Sequence, residues 1–243
     1  MSYLLYCIFR SPPQLEREAV TGVGAQPVSV IEHDGLGGAI SELRKADSDP
    51  DVGSVLAYES VAETFFRQRT IIPMRYGCAV HNRRDFGPLI DKHRKECDTL
   101  LRRLEGLAEM AIQVSASGGE EDDEICLAAI PQTRWPDSNR SGASYLSGKK
   151  LYYRGADRKV ERQNEFAQAV CRPLAGLFVE RKVELPSRAT SLLMLYFLVP
   201  RSSVDAFRET SRRALQNQFE DVRISGPWPP YNFATFSDDG RFS

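Results

Sequence analysis

A chain of 243 residues with 42% apolar and 27% charged side chains has the composition of an ordinary folded protein and exceeds the commonest domain size, so two units are expected. Its 32 basic and 33 acidic side chains leave a formal net charge of −1, which gives no electrostatic reason for nucleic acid or an anionic membrane as partner. Five cysteines (Cys7, Cys78, Cys97, Cys126, Cys171) lack a C-x-x-C pair, and the longest apolar run, Leu192 to Pro200, falls far short of the ~20 residues that span a bilayer. Reduced thiols and a cytoplasmic location follow as expectations, since the first residues also lack the basic and small-residue features of a secretory signal.

Tyr3 to Phe9 is almost wholly apolar and predicts a central strand buried on both faces. Val28 to Glu32 and Ala39 to Leu43 flank a glycine-rich turn, which suggests a hairpin. Asp49-Pro50 looks like an N-cap followed by proline in the first turn of a helix reaching about Arg67, with Val52, Val55, Leu56, Ala62 and Phe66 on its apolar side. Thr70 to Tyr76 returns as a strand whose Pro73 lacks a ladder donor and so belongs at an edge or a bulge. The clearest helical stripe follows: Phe86, Leu89, Ile90, His93, Cys97, Leu100, Leu101 and Leu104, closed near Gly106.

Leu107 to Val114 predicts another strand, and Ser115 to Asp123 has the composition of a solvated loop. Ile125 to Ile130 suggests a short strand, and helical spacing extends from about Ser144 to Arg181, with Pro173 expected to kink or split it. Thr190 to Val199 reads as a buried strand, Ser202 or Ser203 as the cap of a helix carrying Val204, Phe207, Ala214 and Leu215, and Asp221 to Ser225 as a last strand. The pattern is α+β, with residues 1–106 forming one unit and 107–243 a second of split βαβ, ferredoxin-like order, helices covering one face of an antiparallel sheet. No repeat is visible between the two.

No residue pattern carries catalysis. Three histidines are few, and none sits beside a serine or cysteine in a nucleophile motif. His93 and Cys97, four apart on one helical face, could ligate zinc, but two more ligands are missing and a packed histidine with a buried thiol explains them as well. Glu120 to Glu124 lacks the alternation of a calcium loop and reads as a solvated stretch, while Gly22-Val-Gly24 and Gly35-Leu-Gly37-Gly38 lack the context of a phosphate cradle and read as turns. No metal or cofactor is therefore expected. Glu59 falls among the apolar residues of the first helix, so a shielded ion pair with Arg75 on the following strand is expected to fix helix against sheet. Gly226-Pro227-Trp228-Pro229-Pro230-Tyr231-Asn232-Phe233 joins stiff proline-rich backbone to three aromatics and suits either a tail folded on its own sheet or a partner-binding arm.

Tyr3-Leu-Leu-Tyr6, Ala39-Ile-Ser-Glu42, Ile72-Pro-Met-Arg-Tyr-Gly77, Tyr145-Leu146 with its following lysines, and above all Gly226 to Phe233 resemble the gas vesicle protein L/F family over nearly the whole chain. The resemblance implies an accessory protein of gas vesicles, with a ferredoxin-like first domain and a modified ferredoxin-like second one. It also implies binding to the small hydrophobic shell protein and to other accessory proteins during nucleation, which limits shell-protein aggregation, and it carries over no catalytic residues. Candidate contacts are Pro73, Met74, Arg75 and Tyr76 on the edge strand and Trp228, Pro229, Pro230, Tyr231 and Phe233 in the tail, because an open sheet edge can take up a partner's strand. The rival readings are an enzyme or small-ligand sensor on ferredoxin-like domains, which needs a polar pocket, and an RNA-binding sheet, which needs a basic surface.

Overall fold

The computed structural model describes residues 2–11, 20–44, 51–115, 165, 167–184, 192–215 and 221–236. Its first sheet contains β1 (Ser2–Arg10), β2 (Ser29–His33), β3 (Leu36–Leu43), β4 (Ile71–Pro73) and β5 (Ala79–Val80). The strand order is β2-β3-β1-β4, all antiparallel, and β5 pairs with β1 further along the same side as β4. β4 and β5 thus act as one edge strand interrupted at residues 74–78. Met74 donates its N–H to the Tyr6 carbonyl at 2.9 Å and Leu5 donates to Cys78 at 2.8 Å, so the chain leaves the ladder only between those points, as Pro73 demands.

β1 is central and buried on both faces. Tyr6 and Phe9 join a cluster with Tyr58, Val61 and Phe65 of α1 (Val52–Gln68). Leu5 and Ile8 join another with Phe86, Ile90, Cys97 and Leu100 of α2 (Phe86–Arg103). Because neighbouring strand residues point to opposite sides, the two helices cover opposite faces of the sheet. The β2–β3 turn is only two residues long. Asp34 and Gly35 have φ of 47° and 75°, the left-handed pair that a tight hairpin requires. Gly37 and Gly38 lie within β3, where a Cβ would come within 2.6 Å of the Phe9 and Phe86 rings respectively, so the missing side chains admit one aromatic ring on each face.

The second sheet contains β6 (Leu107–Ser115), β7 (Glu180–Glu184), β8 (Leu192–Pro200) and β9 (Val222–Trp228) in the order β7-β8-β6-β9, again all antiparallel. Counted within each half, both sheets run second-third-first-fourth, the ferredoxin-like order. Met110, Ile112 and Val114 of β6 and Leu195, Phe197 and Val199 of β8 face α3 (Val204–Leu215), whose Val204, Phe207 and Leu215 share their cluster. Glu109, Ala111, Gln113, Met194, Tyr196 and Leu198 alternate onto the opposite face. Both apolar clusters draw residues from either half of the chain.

Several expectations change. The first helix is capped by Asp51, whose carboxylate accepts the Ser54 N–H at 2.6 Å; Asp49 and Pro50 lie outside the described residues. Its buried stripe is Tyr58, Val61, Ala62, Phe65 and Phe66, while Val52 and Leu56 are 77% and 59% exposed. The expected helix to Arg181 stops sooner: residues 167–171 are helical, Pro173 sits in a 3-10 turn (Arg172–Leu174), and Glu180 already belongs to β7. The removed amide donor of Pro173 ends the helix where a kink or split was expected. The last strand runs past Ser225 to Trp228. The strand expected at 125–130, the acidic run 120–124 and most of the 144–181 helix lie outside the described residues.

Candidate functional site

The two candidate contact regions meet near Tyr58. This side chain, rather than the neighbouring Glu59, turns inward from α1: its hydroxyl donates to the Leu5 carbonyl at 2.5 Å and lies 3.1 Å from that of Arg75. Its ring packs on Tyr6 at 4.6 Å and edge-on to Tyr76 at 5.2 Å. Burial drives its phenol well above the ordinary range, so it remains a neutral donor. The Tyr6 hydroxyl in turn meets Ser41 Oγ at 2.6 Å and accepts the Val23 N–H at 3.0 Å. Hydroxyl-to-backbone bonds therefore do the work assigned in advance to an ion pair.

The expected Glu59–Arg75 pair does not form. Both side chains are exposed and no ion pair joins them. The helical stripe is rotated by about one residue from the expected phase, which puts Tyr58 in the interior and Glu59 in solvent. Of the edge-strand candidates, Pro73 and Met74 are buried, Tyr76 is half-buried, and Arg75 and Gly77 are exposed. Only the tip of the excursion is open to a partner.

The tail is held by a residue that sequence reasoning passed over. Glu109, on β6 and only 4% exposed, accepts the Asn232 backbone N–H at 2.8 Å through one oxygen and the Asn232 side-chain amide at 2.7 Å through the other. Lys182 of β7 donates to the Asn232 carbonyl and lies 5.7 Å from the Phe233 ring centre. Desolvation raises the Glu109 pKa, against the lowering effect of the Asn232 bonds and the Lys182 charge. Phe233 is fully buried, Pro229 and Pro230 are buried, and Phe236 meets the His93 ring of α2 edge-on at 5.6 Å. The Tyr231 hydroxyl is buried without a hydrogen-bond partner; desolvation raises its pKa, and the Glu59 charge adds to the effect. Trp228, by contrast, is 44% exposed at the end of β9, an edge strand of the second sheet. The signal for Glu109 was present: it is the only charged side chain in the apolar strand LAEMAIQV.

His93 and Cys97 belong to the packed side of α2. The His93 ring bonds Glu96 at 3.0 Å, and burial pushes the Cys97 thiol up to about 11. Among the described residues no group of three or more histidine, cysteine or carboxylate side chains is placed to hold a metal, and no helix there is long and apolar enough to cross a membrane.

The family model described as gas vesicle synthesis protein GvpL/GvpF matches residues 2–235. The chain belongs to this family. Among GvpL/GvpF relatives, gas vesicle protein F1 of Halobacterium salinarum is 22% identical over 224 residues, covering 90% of this chain and 86% of that protein. Gas vesicle protein L2 of the same organism is 24% identical, covering 95% and 90%. The crystal structure of GvpF from Microcystis aeruginosa superposes with a TM-score of 0.76 at 18% identity, covering 97% of this chain and 99% of that one. GvpF from Anabaena sp. PCC7120 gives 0.70 at 20% identity with the same coverage. The GvpL/GvpF fold is thus shared over the full described length.

Proposed function

We propose that this protein is a non-enzymatic, cytoplasmic assembly factor of gas vesicles, built from units 1–106 and 107–243, which binds the hydrophobic shell protein and other accessory proteins during nucleation and limits shell-protein aggregation. The family match over residues 2–235 carries the reading. Its supporting geometry is an exposed indole at the end of an edge strand, Trp228 on β9, where main-chain groups and an apolar surface lie side by side. Arg75 and Tyr76 at the tip of the β4–β5 excursion are the second candidate contact. Pro73, Met74, Pro229, Pro230 and Phe233 hold these surfaces in place from within.

Co-expression of the shell protein with this chain, followed by affinity capture and light scattering, tests the proposal. The expected outcome is co-purification and lowered scattering, with both effects weakened by Trp228→Ala while the thermal midpoint stays within a few degrees of wild type. Absence of binding and of any effect on scattering would refute it.

A further inference from the structure

We infer that residues 229–236 form a releasable strap across the seam between the two sheets, fastened to the body by Asn232, which is held between Glu109 and Lys182. Two features of the strap point the same way. Its backbone bonds are internal: Tyr231 donates to Pro229, and Phe233 and Ala234 both donate to Pro230. None of these is lost when the strap lifts, unlike the ladder bonds of β9 beside it. Asn232 joins the strap to the body through three hydrogen bonds, using its N–H, its side-chain amide and its carbonyl.

The docked state also carries two electrostatic burdens that lifting would relieve. Glu109 is buried with a carboxylate that water would solvate better, and the Tyr231 hydroxyl is buried with no partner. Opposing them is the complete burial of Phe233, assisted by Phe236 against His93. Two proline rings at the root of the strap limit the backbone freedom gained on release, so it moves as a preformed piece. The outcome is a closure balanced between an apolar anchor and an unfavourably buried acid. It reaches both halves, through Glu109, Lys182 and the Leu198 cluster on one side and His93 of α2 on the other.

Closure is coupled to a proton. Glu109 faces Lys182 and Glu184 on β7, Tyr196 on β8 and Tyr231 on the strap itself; its ladder neighbour on β9, Trp228, does not titrate. Its pKa is raised in the docked form above the ordinary 4.5 that it regains on exposure. The favourable contribution of protonation to closure is therefore complete below the ordinary value and disappears as pH rises through the docked value. Acid tightens the strap and alkali loosens it.

Native-state cleavage of the full chain by an aromatic-specific protease, read by intact mass, tests this. Loss of the fragment beyond Tyr231 or Phe233 is expected to depend on urea far more weakly than global unfolding does, and to rise about tenfold in Asn232→Ala. Wild-type cleavage is expected to rise with pH, and Glu109→Gln to flatten that rise. Asn232→Asp sets a second carboxylate against Glu109, and is expected to open the strap at pH 8 and to close it again at pH 5, a recovery that separates release from misfolding. Cleavage at these sites with the full urea slope of global unfolding in wild type and variants, or with no pH dependence in wild type and Asn232→Asp, would overturn the inference.

Discussion

The two sheets share one strand order and solve different packing problems. In the first, β1 is covered on both faces, by α1 and α2, and contributes Leu4 to Phe9 as an unbroken buried run. In the second, β6 is covered by α3 on one face, while the other carries Glu109, Ala111 and Gln113 and is reached by the tail. Among the described residues, the same topology therefore carries helices on both faces of the first sheet, and a helix on one face and a short terminal segment on the other in the second.

The contrast is sharpened most by truncating β1. Ile8→Ala is expected to destabilise by about 2–5 kcal/mol, because a fully buried side chain is removed between a helix and a sheet. Met194→Ala on the half-buried face of β8 is expected to cost less than about 1.5 kcal/mol. Urea denaturation measures both, and similar losses would remove the distinction between the sheets. Next come the two tyrosines. Tyr58→Phe strips a donor from the Leu5 and Arg75 carbonyls and is expected to lower stability by about 1–3 kcal/mol, whereas Tyr231→Phe removes a hydroxyl that has no partner and is expected to be neutral or stabilising. The smallest effect belongs to Glu59 and Arg75: a double-mutant cycle should return a coupling energy indistinguishable from zero, since both are solvated. A clear positive coupling would restore the ion pair.

Much of the fold was legible where burial imposes a period. β1, α2, β6, β8 and α3 each carry an apolar pattern dictated by the surface they cover, and the chain shows it directly. β7 was not legible. Its sequence ERKVE is made of good helix formers with one apolar residue, and its conformation is set by pairing with β8, a contact no local pattern records. The stripe of α1 was misread because Val52 and Leu56, exposed in the first turns, pulled the inferred phase toward themselves and drew Glu59 inward. In the tail, the Pro-aromatic motif marked the right segment, but not that Phe233 rather than Trp228 is the anchored ring. That choice depends on Glu109, a carboxylate 123 residues earlier in the chain. The matching strand order of the two halves was expected from the element order of the second half and from the family resemblance, although it resides in pairings and leaves no shared sequence.

The placement of β6 affects how the polypeptide matures on the ribosome. This strand emerges directly after α2, yet both of its ladder neighbours, β8 and β9, begin only at Leu192 and Val222. At a translation rate of roughly 5–20 residues per second, it waits for seconds with two open edges and an apolar side uncovered. The first half can complete its own sheet during that interval; the second cannot begin until synthesis is nearly over. The second half is thus sticky while being made, and slowing elongation downstream of Ser115 prolongs that exposure.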